Sequence, residues 1–302
     1  MCEEGLIIEK IGRPKTMKYG QSRGGNVISW VDGEWHDKEP AVAKATDHAM
    51  WLGSAVFDGA RSMAGKVPDL EAHCARAIRS ARIMGMAPDV TTEDIVELSH
   101  EGIQQFPDDA QLYICPLFYA SGGFVIPDPA STHFVLTVEE SALPAPTGFK
   151  ACLSPFRRPA ADMAPTGAKA ACLYPNVSRA VADANERGFD TGVMLDPDGN
   201  VAEFSSANLF MVKNGVVHTP VPNGTFLDGI TRQRVIQLLR DAGIEVVERT
   251  ISYEDLLDAD ELFATGNYSK VIPCTQLDDR PMRPGPVFQA ARDMYFSYAE
   301  AC

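Results

Sequence analysis

The stretch TGVMLDPDGNVAEFSSANLFMVKNGVVHTP, residues 191–220, decides the fold class. Short runs of branched and apolar residues alternate with turn signals at Asp198-Gly199 and Asn214-Gly215, which predicts three or four strands joined by turns. Further along, TRQRVIQLLRDAG at residues 231–243 has the spacing of an amphipathic helix. Strands that arrive in meander-like groups beside separate helices predict an α+β fold rather than a regular βαβ series.

The 302 residues predict two domains. SALPAPTG at residues 141–148 interrupts the pattern with two prolines and a glycine, which marks a linker. We expect a small N-terminal α/β domain at residues 1–143, a linker at 144–148 and a larger, strand-rich C-terminal domain at 149–302. In the first half, residues 1–25 are expected to form a loose arm, and NVISWVDGEW predicts a hairpin that turns at Asp32-Gly33. SAVFDGARSM predicts one strand, and a helix follows Asp69, its candidate cap.

Charge and cysteine usage exclude several classes of function. The chain has 27 basic and 41 acidic residues and a formal net charge of −14, so binding to nucleic acid or to an anionic membrane surface is not expected. The seven cysteines are dispersed and include no C-x-x-C pair, which indicates neither a disulfide framework nor a zinc site. No apolar run is long enough to span a bilayer, and the acidic start MCEEG does not fit a secretory signal. We therefore expect a cytoplasmic protein without a metal.

The segment PTGAKAACLYPNVSRA, residues 165–180, places Lys169 among small and apolar residues, with Tyr174 five positions on. Two interpretations are open. Lys169 is either a solvated residue on a small-residue loop, as most lysines are, or a desolvated amine held for nucleophilic chemistry. This segment alone does not decide between them.

Three other segments carry candidate anion- or ring-binding groups. In FLDGITRQRVIQLL, residues 226–239, a helix start offers unpaired N–H groups to a phosphate, or is an ordinary start capped by Asp228 or Thr231. ATGNYSK, residues 264–270, is a second small-residue turn with backbone donors, or simply a turn. Arg76 suits a phosphate if it is buried. Glu203 is either an edge-strand charge or the partner of a protonated ring nitrogen.

The order of these motifs resembles one known family. The pattern is similar to that of class IV, or fold-type IV, pyridoxal-phosphate aminotransferases. It consists of Lys169, EFSSANLF at residues 203–210, LDGITR at 227–232 and ADELFATG at 259–266. The similarity extends from about residue 30 to about residue 287. In the first half it includes GSAVFDGAR at 53–61, the pair His73 and Arg76, YICPLF at 113–118, and PTGAK, which ends at Lys169. The closest pattern is that of branched-chain amino acid aminotransferases. The resemblance implies the two-domain fold of that family and pyridoxal 5′-phosphate as cofactor.

The resemblance also implies a role for each matching residue. Lys169 forms the internal aldimine and moves the proton between the substrate Cα and the cofactor, Glu203 pairs with the pyridine nitrogen, and Tyr174 bonds the phenolic oxygen. The cofactor phosphate and ring are expected to contact Arg76, Leu227, Ile230, Thr231, Gly266 and Asn267. The substrate is expected to contact Phe57, Tyr113, Cys115 and Tyr268. The implied reaction moves an amino group between a hydrophobic, branched-chain-like amino acid and a 2-oxo acid, in a homodimer whose subunits close each other's pockets.

The sequence departs from the family pattern at several positions, which concern mainly the substrate. Cys115 stands where branched-chain enzymes carry an arginine for the glutamate side chain, and Arg61 or Arg158 are the candidate replacements. Phe204 takes a glycine position at the cofactor's edge, Asn267 takes a threonine position, and Trp51 and Leu52 make the pocket bulkier. An (R)-selective amine or D-amino acid transaminase, an aminodeoxychorismate lyase-like enzyme, and a non-catalytic homologue that binds the cofactor remain alternatives on the same fold.

Overall fold

The computed structural model describes residues 25–302. The expected arm at residues 1–25 therefore lies, except for Gly25, outside the described residues. Among the described residues, the first half of the chain forms a six-stranded sheet. Its strands are β1 (Val27–Val31), β2 (Glu34–His36), β3 (Ala55–Phe57), β4 (Ala60–Met63), β5 (Gln111–Ala120) and β6 (Thr132–Glu140).

The first sheet is antiparallel, in the order β2-β1-β6-β5-β3, and β4 also pairs with β5. The predicted hairpin at Asp32-Gly33 is confirmed, with φ of 51° and 90° at the two turn residues. The prediction of one strand across SAVFDGARSM is wrong, because the strand breaks at Asp58-Gly59 into β3 and β4. The Asp58 N–H donates to the carbonyl of Pro116 in β5, and Pro116 has no N–H to give in return.

Three helices accompany this sheet, namely α1 (His48–Leu52), α2 (Leu70–Ile83) and α3 (Thr92–Ile103), with a 3-10 turn at Pro129–Ser131. α2 buries Leu70, Ala77 and Ile78 against the sheet, as its spacing predicts. Asp69 is the N-cap residue of α2, as predicted, but it has a positive φ of 59° and makes no side-chain cap bond. Its carboxylate accepts from Arg234 Nε at 3.1 Å instead.

The second half forms a nine-stranded sheet within the described residues. Its strands are β7 (Phe149–Leu153), β8 (Thr191–Leu195), β9 (Val201–Phe204), β10 (Asn208–Lys213), β11 (Val216–Pro220), β12 (Val246–Arg249), β13 (Glu261–Gly266), β14 (Lys270–Leu277) and β15 (Arg280–Pro281). The order is β12-β11-β10-β13-β14-β7-β8-β9, with β15 on β14. Residues 191–220 thus give four strands, and the predicted turn at Asn214-Gly215 is confirmed with φ of 51° and 79°.

The helices of the second half are α4 (Tyr174–Glu186), α5 (Ile230–Asp241), α6 (Tyr253–Leu257) and α7 (Pro286–Ala301), preceded by a 3-10 turn at Ala171–Leu173. α5 and α7 share one apolar core with β10 and β13. The α+β class is confirmed, and the first sheet ends at Glu140 before the second begins at Phe149. We propose residues 144–148 as the linker on that ground. Within residues 25–302, no helix combines the length and the apolar character that a bilayer crossing requires.

Candidate active site

A cavity of about 730 Å³ lies where the two sheets meet. Its walls come from β5 and β6 of the first sheet, from the segment that carries Lys169, and from the loops beside β9, α5 and β13. Every candidate site residue named from the sequence lines this cavity, namely Phe57, Arg76, Tyr113, Cys115, Lys169, Tyr174, Glu203, Leu227, Ile230, Thr231, Gly266, Asn267 and Tyr268. The fold therefore brings together groups that are up to 211 positions apart in the chain, Phe57 and Tyr268 being the first and the last.

The backbone at Lys169 is held by residues of the first half of the chain. Its N–H donates to Ser80 Oγ at 3.1 Å, its carbonyl accepts from the Phe57 N–H at 3.2 Å, and Ala170 bridges to Val56. The flanking Ala168 and Ala170 are wholly buried in the core of the first sheet. The small residues around the lysine are thus explained by packing, which clamps the backbone on both sides.

The side chain of Lys169 enters the cavity between two aromatic rings. Its Nζ donates to the Tyr174 hydroxyl at 2.8 Å and lies 5.0 Å from the Phe57 ring centroid. The Phe57 and Tyr174 rings contact each other with centroids 5.1 Å apart. The lysine is half-buried, so its amine is shielded by aromatic faces while it remains open to a ligand in the cavity.

One end of the cavity suits an anion. Arg76 is buried, and its Nε and Nη2 donate to the two oxygens of Asp58 at 2.6 and 2.9 Å. His73 Nδ1 lies 2.7 Å from Asp58 Oδ1. Burial alone would raise the pKa of Asp58, but Arg76 and His73 outweigh it and hold that pKa well below its usual range. Asp58 thereby fixes the Arg76 guanidinium at the cavity wall.

The first turn of α5 completes this end. α5 starts at Ile230 after Gly229, and no side chain caps its first N–H groups. Both cap candidates from the sequence, Asp228 and Thr231, are therefore wrong. Asp228 instead pairs with Arg232 at 2.6 Å. The open N–H groups and the positive end of the helix dipole face the same cavity wall as Arg76 and Asn267, an arrangement suited to phosphate.

Glu203 lies at another wall of the cavity and is buried. Arg158 Nε is 3.3 Å from its Oε1, and Asn208 Nδ2 is 3.4 Å from its Oε2. Burial raises the pKa of Glu203 to about 7, although Arg158 and Lys169 act in the opposite direction. This carboxylate is poised between its neutral and charged forms, and a cationic ligand beside it would favour the charged form.

The wall formed by β4, β5 and β6 carries the residues expected to meet the substrate. Arg61, Tyr113 and Glu139 are directly paired across the three strands, so their side chains share one face of the sheet. Arg61 is wholly buried, donates to the Ser141 carbonyl at 2.7 Å, and places its Cζ 5.1 Å from the Tyr268 ring centroid. Of the two arginines considered as replacements at Cys115, Arg158 is engaged by Glu203, and Arg61 stands behind Tyr113.

Two expected effects of the sequence departures are not found in the structure. Phe204 does not line the main cavity, because side chains alternate along β9 and Phe204 packs against Phe149 at a centroid distance of 4.9 Å. Trp51 and Leu52 do not line it either, and they are 75% and 51% exposed. Several cavity or supporting residues were not singled out by their own sequence pattern, among them Asp58, Glu139, Asn208 and Lys270. For Asp58, a lone acid inside the apolar run AVFDGA is a signal that could have found it.

The cavity suits a phosphorylated aromatic ligand with a basic ring atom. Its amine lies between aromatic rings, its buried carboxylate has a raised pKa, and one end suits an anion. The family model described as Amino-transferase class IV matches residues 55–277. A probable branched-chain-amino-acid aminotransferase of Rickettsia bellii is 32% identical over 252 residues, which is 82% of this chain and 86% of that protein. The chain belongs to the class IV aminotransferases.

Solved structures agree with this assignment. An aminotransferase from Brucella abortus bound to the cofactor PLP is 45% identical with a TM-score of 0.90, over 91% of this chain and 99% of that one. A branched-chain aminotransferase from Thermoproteus uzoniensis with norvaline is 30% identical with a TM-score of 0.84, over 92% and 96% of the two chains. The family, the fold type and the transaminase class predicted from the sequence are confirmed.

Proposed function

We propose that this chain is a pyridoxal-phosphate-dependent aminotransferase that moves an amino group between a hydrophobic, branched-chain-like amino acid and a 2-oxo acid. The observation that carries the proposal is the position of Lys169 Nζ, which is backbone-clamped in the same cavity as buried Glu203 and the anion-binding end. The donor set fits the cofactor. Arg76, the start of α5 and Asn267 suit its phosphate, and Glu203 suits its ring nitrogen.

When bound, the cofactor supplies an electrophilic carbonyl carbon and an electron-withdrawing ring that accepts the electrons of the substrate Cα–H bond. Lys169 Nζ would serve as the base that takes up and returns the Cα proton. The Tyr174 hydroxyl, 2.8 Å from Nζ, orients the amine. Glu203 would hold the ring nitrogen in its protonated form, and Arg76 would help to hold the phosphate.

The substrate end favours side chains without a carboxylate. The cations that line the cavity, within the described part of the chain, are Arg76, Arg158 and Lys169, and all three lie at the cofactor groups. Beside Tyr113 and Cys115, the acid on the same face of the sheet is Glu139, which interacts with Arg61. Glu140 points to the other face and accepts from the Asn26 N–H at 3.0 Å. Among the described residues, a second carboxylate of glutamate or 2-oxoglutarate would meet no lining cation at this wall, so we propose a neutral side chain for the preferred donor and acceptor.

A panel assay tests this substrate class. Purified protein with added cofactor is given L-leucine, D-alanine or (R)-1-phenylethylamine, each with pyruvate, 4-methyl-2-oxopentanoate or 2-oxoglutarate. We expect L-leucine to be the best donor and 2-oxoglutarate a poor acceptor. A clear preference for the amine or for D-alanine would replace the proposal with one of the alternative transaminases, and no turnover with any pair would favour a non-catalytic homologue.

A substitution at Cys115 sharpens the test. Cys115→Arg is expected to lower KM for 2-oxoglutarate by roughly tenfold, the effect of one charge-assisted hydrogen bond, with little change for 4-methyl-2-oxopentanoate. Cys302→Arg, at the exposed C-terminus, is the control for the added charge. An unchanged KM for 2-oxoglutarate would show that Cys115 does not face the substrate side chain.

We also propose a homodimer. Six large apolar residues lie exposed on α1 and on the loop before Pro129, namely Met50, Trp51, Leu52, Phe124, Val125 and Ile126. The two segments are joined by the His48 N–H, which donates to the Ser121 carbonyl at 3.1 Å. Exposed apolar residues in this number are typical of an interface. Light scattering should give a dimer mass for the wild type and a monomer mass for a Trp51→Glu, Ile126→Glu variant.

The cytoplasm remains our proposal for the location. None of the six cysteines in the described residues forms a disulfide, which agrees with a reducing compartment. Fractionation of expressing cells, with the protein followed by antibody, tests this directly.

A further inference from the structure

A second lysine, Lys270, lies close to the cavity but is wholly buried behind its wall. It is the first residue of β14 and pairs with Gly266 across the turn formed by residues 267–269. Its backbone has a φ of 60°, which is unusual for a residue with a side chain. Its Nζ donates to Asn267 Oδ1 at 2.6 Å. Burying an ammonium group is costly, so a lysine in this position requires a physical reason.

The groups around Lys270 come from four elements. Arg61 on β4 and His73 on α2 add positive or titratable groups, and Asp69, just before α2, adds a negative one. The Tyr295 ring on α7 lies 5.7 Å from Nζ. Asp69 is already engaged by Arg234 and by the Tyr298 hydroxyl at 3.0 Å. Burial and Arg61 lower the pKa of Lys270 to about 7, and Asp69 offsets this only in part.

The contact with Lys270 determines how Asn267 faces the cavity. In its ammonium form Lys270 can only donate hydrogen bonds, so the amide then turns its oxygen towards Lys270, as in the structure. The amide nitrogen then points the other way, towards Gly59 and the Tyr113 hydroxyl, with which it interacts. An amide nitrogen carries two N–H donors, so one of them remains for a ligand at the anion-binding end.

A second pair of residues repeats this arrangement. Thr231, on the first turn of α5, is buried and shares a hydrogen bond with the Tyr295 hydroxyl. Tyr295 also lies against Lys270 Nζ. Asn267 and Thr231, which both line the cavity, are therefore contacted from behind by Lys270 and Tyr295.

We propose that Lys270 is a positioning residue of the phosphate site: it orients the Asn267 amide so that Nδ2 donates to the cofactor phosphate, and it places a buried positive charge behind that contact. The proposal rests on the proposed function, since it requires a phosphorylated ligand. A phosphate dianion favours the ammonium form of a nearby lysine. Above pH 7, phosphate binding is therefore accompanied by uptake of a proton by Lys270.

The test compares pyridoxal 5′-phosphate with pyridoxal, which lacks only the phosphate, on the cofactor-free protein. Lys270→Met is expected to weaken binding of the phosphorylated compound by roughly tenfold, the effect of a hydrogen bond to a charged group, and to leave pyridoxal unchanged. Lys150→Met, on an exposed strand position, is the matched control and should change neither affinity. An equal loss for both compounds, or no loss, would overturn the proposal.

A proton count on the wild type gives an independent readout. Calorimetry at pH 7.5 in two buffers of different ionisation enthalpy should show more protons taken up with the phosphorylated compound than with pyridoxal, by up to about one proton. No excess would overturn the proposal, even if the Lys270→Met protein does not fold. Failure of the proposed function gives a different result, because neither compound would then be trapped on Lys169 by borohydride.

Discussion

Two buried carboxylates, Asp58 and Glu203, lie at opposite functional ends of one cavity and behave in opposite ways. Each is next to an arginine. Asp58 receives two bonds from Arg76 at 2.6 and 2.9 Å and a third contact from His73, and its pKa is held far below the usual range. Glu203 has a single arginine contact at 3.3 Å, and burial raises its pKa to about 7. Two buried carboxyl groups thus differ in charge: Asp58 is a permanent anion, and Glu203 is an acid that titrates near neutral pH.

The two pKa values differ because of hydrogen bonding and not because of burial. Both Asp58 oxygens already accept hydrogen bonds from side chains of the protein, so the carboxylate fixes Arg76 and is not available to a ligand. Glu203 keeps part of its bonding capacity, and its charged form needs a cation that the chain itself does not supply fully. Arg76 is therefore already fixed in the free protein, whereas the charge of Glu203 is fully balanced only when a cationic ligand binds.

The largest expected effect is the loss of stability on breaking the Asp58–Arg76 pair. Asp58→Asn leaves Arg76 buried without its counterion, and we expect the free energy of unfolding to fall by roughly 3–5 kcal/mol. Urea unfolding of the cofactor-free protein measures this change. Asp183→Asn, which breaks the partly exposed pair with Arg187, is the control and should cost less than about 1 kcal/mol. Similar losses in the two variants would remove the distinction drawn here.

Glu203→Gln should affect activity more than stability. The amide cannot hold the positive charge of the ring nitrogen, and losing that interaction is worth roughly 3 kcal/mol, or somewhat more than 100-fold in kcat. The free energy of unfolding at neutral pH should fall by less than in Asp58→Asn, because Glu203 is already partly protonated near pH 7 and Arg158 keeps its bond to the Thr225 carbonyl at 3.2 Å. Transaminase kinetics and urea unfolding on one preparation measure both effects. A destabilised but fully active variant would contradict the assignment of Glu203.

The two acids should also give pH dependences of opposite sign in the cofactor-free protein. Folded Glu203 keeps its proton up to about pH 7, and the unfolded chain releases it near 4.5, so the folded chain binds more protons in this window. The free energy of unfolding should therefore fall as pH rises from 4.5 to 7, by roughly 3 kcal/mol in total. This fall should be absent in Glu203→Gln.

Asp58 contributes in the acid range. Its folded pKa lies below the ordinary value of 3.8, so its stabilisation is complete above that pH and is lost as pH falls below it. Acid unfolding of the wild type between pH 4 and 2, compared with Asp58→Asn, follows this loss. Because His73 and His218, whose pKa values are lowered, act in the opposite direction below pH 6.5, the difference between wild type and Glu203→Gln isolates Glu203. A difference that stays constant from pH 4.5 to 7 would contradict the raised pKa of Glu203.

The smallest expected effect concerns Arg158. Removing this cation in Arg158→Gln should raise the pKa of Glu203 further, by roughly one pH unit, since an opposite charge within 4–6 Å lowers a carboxyl pKa by 1–3. The midpoint of the pH-dependent stability, measured as above, should move upward. Arg157→Gln, whose side chain bonds only to the Pro197 carbonyl in the described residues, is the adjacent control.

Local turn chemistry made much of the fold predictable. Asp32-Gly33 and Asn214-Gly215 permit the positive φ values of tight hairpins, and the spacing of Val235, Ile236 and Leu239 predicts α5. The break between β3 and β4 was not predicted, because it depends on Pro116 of β5, which only the folded sheet brings opposite Asp58. The strand β14 was missed for a similar reason, since it starts with a buried lysine and contains a proline.

The candidate site was predictable as a set of residues but not as a set of contacts. Motif order placed the residues expected to contact cofactor and substrate at the cavity, but not Phe204, Trp51 or Leu52. The bonds from Arg76 to Asp58, from Arg158 to Glu203 and from Lys270 to Asn267 depend on how separate segments pack. The direction of Phe204 was available from the sequence, since the residue after an inward-facing Glu203 must point to the other face of the strand.

The most direct test of the account is reductive trapping on the wild-type protein. The purified protein is incubated with pyridoxal 5′-phosphate, reduced with borohydride, digested and read by mass spectrometry. The account predicts one stoichiometric phosphopyridoxyl group on Lys169 and none on Lys270, whose amine is buried behind the cavity wall. A group on another lysine, or no group at all, would contradict it.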